Sequence, residues 1–327
     1  MRYHPISPGS EHYPYGKVVF GFLRDCNFKT QTPLDLTQPV YIVELGSGSG
    51  RFAYHFLKQF FDTYRQSILA TIPVKYIMTD FAQQNLDFWQ SHPSLHPFVS
   101  QGLLDFAQFD IEKDSTLKLV RDDETLDSSN LKNPLIVIAN YFFDSIPHDL
   151  FHIDNGELYE TLITLAAPTS HPDITDTTQL EEIEISYTDS PITADGYYDD
   201  PILNGVLKDY QSRLKSTYLL LPIAALNCLS KLRQLSGDRL LFLSGDKGYS
   251  QEDSLEGRGI PTLTKHHGCF SFTVNHHAIA QYTQNQGGQA LIPNHLHRSL
   301  DMNAFLWGQP TRGGVFKGWG STFVWRL

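Results

Sequence analysis

The sequence is poor in cysteine, and its cysteines do not form a recognisable site. Three of the 327 residues are cysteines, Cys26, Cys228 and Cys269, and no two of them make a C-x-x-C pair. An odd number of cysteines at such wide spacing fits neither a disulfide framework nor a zinc site. We therefore expect reduced thiols, no metal ion and a cytoplasmic protein.

Long apolar segments are missing as well. No stretch approaches the roughly eighteen consecutive apolar residues that a membrane-spanning helix needs. Residues 1–16 contain three prolines, and they lack both the apolar core of a signal peptide and an arginine-rich amphipathic segment. The sequence thus predicts a protein without a membrane partner.

The chain also lacks an excess of positive charge. It carries 25 lysine and arginine residues against 36 aspartate and glutamate residues, which gives a formal net charge of −11. A protein that binds a phosphate backbone usually shows a basic cluster, and none is present, so nucleic acid is a disfavoured partner. Residues 166–200 contain no lysine or arginine at all, and we interpret them as a solvated acidic insertion.

What the sequence does contain is one stretch that combines a strand, a glycine-rich turn and a helix. Residues 40–43 are β-branched or aromatic, which is typical of a buried strand. In the turn, Gly46, Gly48 and Gly50 let a ligand approach the backbone because glycine has no Cβ. Strand, turn and helix N-terminus together predict a nucleotide site. The helix should make about five turns, with the stripe Phe52, Phe56, Phe60, Tyr64 and Ile68.

The spacing of the turn narrows the choice of nucleotide. A dinucleotide fingerprint would have glycine or alanine at position 51, where this sequence has Arg51. An acid, one residue and then Gly-x-Gly-x-Gly is similar to the first motif of class I S-adenosylmethionine-dependent methyltransferases. A purely structural turn and a site for another nucleotide are the alternatives. The resemblance implies that S-adenosylmethionine is held here by Glu44, Gly46, Ser47, Gly48 and Gly50.

A second predicted strand, residues 73–80, ends in an acid. A carboxylate can accept hydrogen bonds from both hydroxyls of a ribose, so Asp80 is a candidate cofactor ligand. The alternative is a surface acid that caps a helix over residues 81–90, and Thr79 could cap this helix as well.

The loop after the third strand is the next candidate. We expect that strand region to begin at residues 97–99. In the class I methyltransferases that this chain resembles, such a loop offers an acid to the adenine amino group and an apolar wall to its ring. Phe109 and Asp110 match those roles, Asp105 is another candidate acid, and a solvated loop acid is the alternative.

Residues 134–139 form a continuous apolar run, typical of a central strand buried on both faces. In an open parallel sheet, ligands sit beyond the carboxyl ends of neighbouring strands, so the segment that follows should face the glycine turn. Asn140 could hold the cofactor or the acceptor, and Tyr141 could wall the transfer path together with the two phenylalanines after it. Asp144 could attract or deprotonate a cationic nitrogen. Alternatively, the phenylalanines are core residues and Asp144 is a cap.

Three segments carry a narrower resemblance. Residues 139–147, Ala-Asn-Tyr-Phe-Phe-Asp-Ser-Ile-Pro, resemble the Asn-Glu-Phe-Phe-Asp-Ala-hydrophobic-Pro motif of the MidA-like methyltransferases. Residues 240–249 are similar to the Leu-Leu-x-x-Asp-Tyr-Gly segment of that family, and residues 269–279 to the strand that leads into its penultimate helix. The family includes a mitochondrial enzyme that methylates an arginine on a subunit of respiratory complex I. The resemblance implies acids for a guanidinium, here Asp144 and Asp246.

The match covers roughly residues 40–60 and 134–290, and it departs from the family pattern at two positions. Tyr141 stands where the family has glutamate, and Lys247 where it has an aromatic residue. A guanidinium needs carboxylates to bind and orient it, so the loss of that glutamate predicts an altered acceptor.

The order of elements predicts an α/β fold, a Rossmann-like doubly wound, seven-stranded, mostly parallel sheet with an inserted hairpin and helical region. Asn155-Gly156 marks the hairpin, two helices broken at Pro222 should occupy residues 201–235, and residues 321–327 should close the sheet. We expect a lead-in over the cofactor site at 1–39, a methyltransferase core at 40–148 and 236–327, and a substrate or lid region at 149–235.

The sequence therefore predicts an S-adenosylmethionine-dependent methyltransferase that acts on a protein side-chain nitrogen, with arginine as the candidate. We expect a protein substrate and a homodimer. The alternatives are a non-catalytic assembly or scaffold protein that retains the fold, and a small-molecule acceptor. The residues expected to face the acceptor are Asn140, Tyr141, Asp144 and Asp246.

Overall fold

Seven strands form the largest sheet of the protein, for which we have a computed structural model. The model describes residues 12–28, 34–166, 182–261, 264–266, 269–293 and 300–308. The elements of its first half are α1 (His12–Phe28), β1 (Val40–Leu45), α2 (Arg51–Tyr64), β2 (Val74–Asp80), α3 (Gln83–Ser91), α4 (His96–Ser100), β3 (Leu104–Gln108), β4 (Leu117–Lys118), β5 (Thr125–Leu126) and β6 (Leu135–Asn140).

The second half of the chain adds more strands than helices. Its elements are β7 (Asp149–Asp154), β8 (Glu157–Ala166), β9 (Glu184–Pro191), α5 (Pro201–Arg213), β10 (Ser216–Leu221), α6 (Ile223–Leu235), β11 (Leu240–Asp246), β12 (Gly248–Tyr249), β13 (Thr264–His266), β14 (Cys269–Ser271), β15 (Val274–Asn275), α7 (His276–Asn285), β16 (Gln289–Leu291) and β17 (Asp301–Trp307).

The strand order of the large sheet is β16-β17-β11-β6-β1-β2-β3. β1 pairs in parallel with β2 and with β6, so the first and fourth strands of the predicted core are neighbours. Every residue of β1 and β11 is buried, as their nearly continuous apolar sequences predict. The mostly parallel, Rossmann-like α/β class that the sequence predicts is therefore confirmed.

Helix α2 packs its predicted aromatic stripe inward. The Phe56 and Phe60 rings stack with centroids 5.2 Å apart, and Phe60 and Tyr64 stack at the same distance. The helix is shorter than predicted, because Ser67 Oγ donates to the Tyr64 carbonyl at 2.7 Å in a turn that follows the last helical residue. Ile68, which was expected to continue the stripe, is 75% exposed.

The expected start of the third strand is wrong. Residues 97–99 belong to α4, whose first turn contains Pro97, a favourable place for proline because the first helical N–H groups have no partner in the helix. The strand itself, β3, begins only after a turn at Gly102, which has a φ of +71°.

The predicted hairpin is confirmed in a second, four-stranded sheet of order β10-β7-β8-β9. Asn155 and Gly156 connect β7 and β8 with φ values of +49° and +88°, the positive pair that a tight hairpin turn needs. The region between α5 and α6 corrects the sequence prediction, because it contains strand β10, which pairs with β7. β17 was not predicted, and the strand expected at 321–327 lies outside the described residues.

Contacts divide the chain into two compact units. The first unit comprises Met1–Ala139, Ser230–Leu243 and Leu306–Leu327, and the second comprises Asn140–Leu229 and Ser244–Phe305. The domain limits expected from the sequence stay a prediction. Among the described residues, none of the helices combines the length and the apolar character that a membrane span requires.

The aromatic stripe of α2 gives the first testable expectation. Phe56 is 1% exposed, so Phe56→Ala should leave a cavity and lower the free energy of unfolding by about 3–5 kcal/mol. Ile68→Ala is the matched control, because this exposed side chain should change stability by less than about 0.5 kcal/mol. Urea denaturation followed by circular dichroism measures both variants. Equal losses would show that the stripe is not the inner face of the helix.

Candidate active site

The turn that follows β1 has the backbone that its glycines predict. Gly46, Gly48 and Gly50 have φ values of +61°, +50° and +73°, a region that residues with a Cβ rarely adopt. The Gly50 N–H donates to the Ser47 carbonyl at 2.8 Å and closes the turn before α2 begins. A Cβ on Gly48 would meet nothing closer than 4.0 Å, so the backbone is open to a ligand on that side.

Hydrogen bonds to β2 fix this turn in place. The Ser47 N–H donates to the Thr79 carbonyl at 2.8 Å, and Thr79 Oγ1 donates to the Glu44 carbonyl at 2.7 Å. The Gly48 N–H donates to Asp80 Oδ2 at 3.2 Å. The structure thus brings together Glu44, Asp80 and the glycine turn, all of which the sequence singled out.

Glu44 is a buried acid without a cationic partner among the described residues. It is 3% exposed, and Oε2 accepts a hydrogen bond from Ser47 Oγ at 2.8 Å. Burial raises the pKa of Glu44 to about 7, and the charge of Asp80 adds to the rise. The carboxyl group therefore changes its protonation near neutral pH.

Asp80 is buried beside the start of α3, whose N-cap residue is Ala82 without a side-chain cap bond, so the alternative of a surface acid that caps this helix is wrong. Oδ1 accepts from the Ala82 N–H at 3.0 Å, where α3 begins, and Oδ2 accepts from Asn85 Nδ2 at 2.8 Å. Together with the bond from Gly48, three donors reach a carboxylate that has about four acceptor positions. Binding of a ribose by Asp80 stays a prediction, and the geometry leaves it one acceptor position.

Two aromatic residues at this site were missed by the sequence interpretation. Trp89 on α3 is fully buried, and its Nε1 donates to the Gly48 carbonyl at 2.8 Å. The sequence offered one signal for Trp89, a tryptophan in a polar helix. Such a residue is expected to be buried, and a buried indole N–H needs an acceptor nearby. Phe81, directly after Asp80, is 71% exposed and offers an apolar surface beside the site.

Phe109 and Asp110 lie at the end of β3, as predicted, but their side chains are largely engaged. Phe109 is 4% exposed, and its N–H donates to the Asp80 carbonyl at 3.0 Å. Asp110 pairs with Lys113 Nζ at 2.7 Å, and this bond lowers the pKa of Asp110. Asp105 is fully buried, and its carboxylate accepts N–H groups from the backbone of the 121–122 loop. Adenine contacts of Phe109 and Asp110 stay a prediction.

The second unit begins with the acceptor-side segment. Asn140 is the last residue of β6, and Tyr141 follows with a φ of +50°, which is unusual for a residue with a side chain. The Tyr141 N–H donates to the Gly245 carbonyl at 2.8 Å, and its side chain is 41% exposed. The strained backbone is thus tied to β11 and presents an aromatic ring at the surface of this unit.

Two acids come together in this unit. A single 3-10 turn, Phe143–Ser145, places Asp144 beside Asp246, whose Oδ2 accepts the Phe143 N–H at 3.3 Å. Asp246 is fully buried, and among the described residues its Oδ1 has no hydrogen-bond partner. Burial, and secondly the nearby Asp144, raise the pKa of Asp246 well above its ordinary value. Phe143 is core, as its alternative interpretation held.

Gly248, in the segment 240–249 that resembles the family motif, is required by packing. A Cβ on Gly248 would lie 2.2 Å from Cδ2 of the His276 ring and 2.6 Å from the Val274 carbonyl. His276 is fully buried, and burial lowers its pKa to about 4, so the imidazole is neutral. Any side chain at position 248 would therefore displace this ring or the strand beneath it.

Comparison with known sequences decides the family. Residues 28–292 match the family described as "Putative S-adenosyl-L-methionine-dependent methyltransferase". The chain belongs to this family. It is a MidA-like class I methyltransferase, and its cofactor is S-adenosylmethionine. No curated protein sequence matches the methyltransferase.

Solved structures support the fold of the methyltransferase. An uncharacterized protein from Burkholderia thailandensis is 12% identical, with a TM-score of 0.52 over 95% of this chain and 86% of its own. A second protein from the same organism and superfamily, solved with S-adenosyl-homocysteine bound, is 11% identical, with a TM-score of 0.52 over 92% of this chain and 78% of its own.

The glycine turn of the methyltransferase fits its cofactor. The open side of Gly48 leaves room for a ligand against the backbone, and the buried Glu44 supplies a carboxyl group beside it. S-adenosylmethionine supplies a methyl group on a positively charged sulfonium, which needs no metal for activation. The residues that would hold it are those the sequence predicts, and these individual assignments stay predictions.

Replacing Gly50 tests the turn. A Cβ there would lie 2.9 Å from Met78 Cε and 3.4 Å from Trp89, and the residue would keep a φ of +73°. We expect Gly50→Ala to weaken the binding of S-adenosyl-homocysteine about tenfold or more, measured by calorimetric titration, because the turn must shift.

Gly102→Ala is the control for Gly50→Ala. Gly102 has a φ of +71° with nothing within 4 Å, so alanine introduces the same backbone strain away from the turn. Its stability should fall by about 1 kcal/mol while its affinity stays unchanged. Equal affinities of the two variants would exclude the Gly46–Gly50 turn from the cofactor site.

The buried Glu44 predicts a pH dependence of stability. Its pKa rises from 4.5 to about 7 on folding, so the folded protein binds this proton more tightly than the unfolded chain. Stability should therefore fall as pH rises between these values and level off above them. Glu44→Gln keeps an acceptor for Ser47 and removes the titration. Relative to the unaltered protein, the variant should gain up to about 3 kcal/mol across that interval.

Urea denaturation at pH 5, 6, 7 and 8 measures this difference. Glu112→Gln serves as control, because it removes the same charge from an exposed side chain. A difference between Glu44→Gln and the unaltered protein that stays constant with pH would show that Glu44 does not titrate in this range.

Proposed function

We propose that this methyltransferase transfers the methyl group of S-adenosylmethionine to a cationic side-chain nitrogen of a protein, with arginine as the acceptor residue. The proposal rests chiefly on one observation, the proximity of Asp144 to the buried Asp246 at the end of β11, where the charge of Asp144 acts on Asp246. Two neighbouring acids that have no salt bridge among the described residues suit a guanidinium or an ammonium group.

The two acids differ in their surroundings, and this difference suggests different roles. Asp144 is half-buried and accepts a hydrogen bond from Ser145 Oγ at 2.8 Å, so an acceptor can approach it. Asp246 is enclosed and holds the Phe143 N–H, which fixes the turn that carries Asp144. Asp144 would bind the cationic nitrogen, and Asp246 would act as a positioning residue.

Methylation of a protonated nitrogen also requires a proton acceptor. One proton leaves the nitrogen and frees a lone pair, this lone pair forms the new bond to the methyl carbon, and the carbon–sulfur bond breaks with its electron pair remaining on sulfur. The Asp144 carboxylate would receive that proton and pass it to solvent. His276 is neutral, so its ring carries no positive charge that would repel the cation.

Localisation belongs to the same proposal. Cys26 and Cys228 are buried, and the three widely spaced cysteines of the sequence fit no disulfide framework, which suits a protein that works in a reducing compartment. We therefore place the enzyme in the cytoplasm, where protein acceptors are available to it.

A labelling experiment tests the acceptor class. Purified enzyme is incubated with cell lysate and S-adenosylmethionine that carries a tritiated methyl group, and the labelled protein is hydrolysed to amino acids. We expect label in methylarginine. Asp144→Asn should lower the rate about a hundredfold or more, because the carboxylate is lost, while the affinity for S-adenosyl-homocysteine stays within a factor of about two.

Asp195→Asn is the matched control, since this acid is 80% exposed and pairs only with Lys208 on the surface of the same unit. It should transfer methyl groups at the rate of the unaltered enzyme. Label in a small-molecule fraction, or a base-labile methyl ester on protein, would contradict the proposal. So would an unchanged rate in Asp144→Asn.

A further inference from the structure

The second unit contains a cavity of 280 Å³ whose lining includes neither Asp144 nor Asp246. Its lining combines two tyrosines, Tyr218 and Tyr249, with apolar residues such as Leu220 and Leu255 and with one arginine, Arg258. Most of the surface that lines the cavity is polar, and Arg258 supplies its positive charge. The cavity therefore favours a polar group that carries a negative charge.

Arg258 is held in place before any ligand arrives. Its Cζ lies 3.6 Å from the centroid of the Tyr249 ring, and its Nη2 donates to the Tyr249 hydroxyl. Its Nη1 donates to the Ser254 carbonyl at 3.0 Å, and its backbone N–H donates to Thr217 Oγ1 at 3.1 Å. A guanidinium fixed on an aromatic ring loses little conformational freedom when it binds an anion.

The positive charge of Arg258 is not neutralised within the described part of the chain. The ion pairs found there do not include it, and the two bonds above account for two of its five N–H donors. The acid nearest in sequence, Glu256, instead accepts the backbone N–H groups of Lys215 and Ser216, at 3.0 and 3.1 Å. In a chain of net charge −11, an unpaired arginine beside a cavity points to an anionic ligand.

We propose that this cavity binds a carboxylate of the protein acceptor, the side chain of a glutamate or aspartate close in sequence to the methylated residue. The proposal rests on the function proposed above. One guanidinium matches the charge and the planar geometry of one carboxylate. A phosphate group carries nearly two charges at neutral pH, and the single guanidinium of Arg258 would leave one of them unpaired.

The chain itself limits how far apart the two acceptor-side sites lie. Tyr249 follows Asp246 by three residues, so their α-carbons are at most about 11 Å apart. Tyr249 also forms part of the short pair β12–β15, in which it lies opposite Asn275, another residue of the cavity lining. We therefore expect that a peptide whose cationic residue binds at Asp144 places an acid within a few residues at Arg258.

Peptide binding tests this specificity. Seven-residue peptides carry one central arginine, glycine or serine elsewhere, and a single glutamate at one of the six other positions; each has a glutamine counterpart. Binding to the enzyme with S-adenosyl-homocysteine is measured by calorimetric titration. We expect at least one glutamate peptide to bind about tenfold tighter than its glutamine counterpart.

Variants of Arg258 test whether the preference for glutamate over glutamine peptides arises in the cavity. Arg258→Gln should abolish the difference between glutamate and glutamine, while Arg258→Lys should keep part of it because it retains the charge. Melting curves with S-adenosyl-homocysteine verify that both variants are folded. If no position shows a preference, if the preference survives in Arg258→Gln, or if a phosphoserine peptide binds tighter than glutamate, the proposal is wrong.

Glutarate alone separates this proposal from the proposed function. If no arginine peptide binds or is methylated, titration with glutarate and with the neutral glutaramide decides whether the cavity takes a carboxylate. Heat from glutarate that disappears in Arg258→Gln would support the carboxylate site. In that case the proposed arginine acceptor would be wrong, and the carboxylate site would stand. No heat from glutarate and no peptide preference would overturn the site itself.

Discussion

The cofactor side of the structure depends on how Gly48 is held. Its N–H donates to Asp80 at the end of β2, and its carbonyl accepts from the indole of Trp89 on α3. Both backbone polar groups of one residue are thus fixed by neighbouring elements while its Cα faces open space. A turn that is bonded on its protein side can receive a ligand without reorganising, which is the basis of tight and oriented binding.

In the same enzyme, the buried carboxyl groups of Glu44 and Asp246 accept hydrogen bonds from neutral donors. Glu44 bonds to the Ser47 hydroxyl, and Asp246 bonds to the Phe143 N–H, and burial raises both pKa values. In isolation such groups favour the protonated form and cost stability when they ionise. A cation removes that cost, since a nearby positive charge stabilises the carboxylate. Buried acids therefore suit a reaction in which methyl donor and acceptor are both positively charged.

Local chemistry could be predicted from the sequence, whereas contacts between distant segments could not. The glycine turn and the Asn155-Gly156 hairpin depend on backbone preferences of adjacent residues, and both were predicted. Strand β10 was missed because a segment of six residues, apolar only in its last part, is ambiguous until its pairing with β7 is known. Trp89 donates a hydrogen bond to a glycine 41 positions away, and Arg258 lies over the ring of Tyr249. No local sequence pattern indicated either contact.

The departure from the family at position 141 agrees with a carboxylate on the acceptor. The family's glutamate there would repel an acidic substrate, whereas Tyr141 is uncharged, 41% exposed and held at a φ of +50° by its bond to Gly245. The loss of one acid removes repulsion at this exposed position, and Arg258, which has no salt bridge among the described residues, would add attraction in the cavity. Both features favour an acceptor that carries an acidic residue. Specificity would then arise from the residues at positions 141 and 258, while Asp144 and Asp246 are retained.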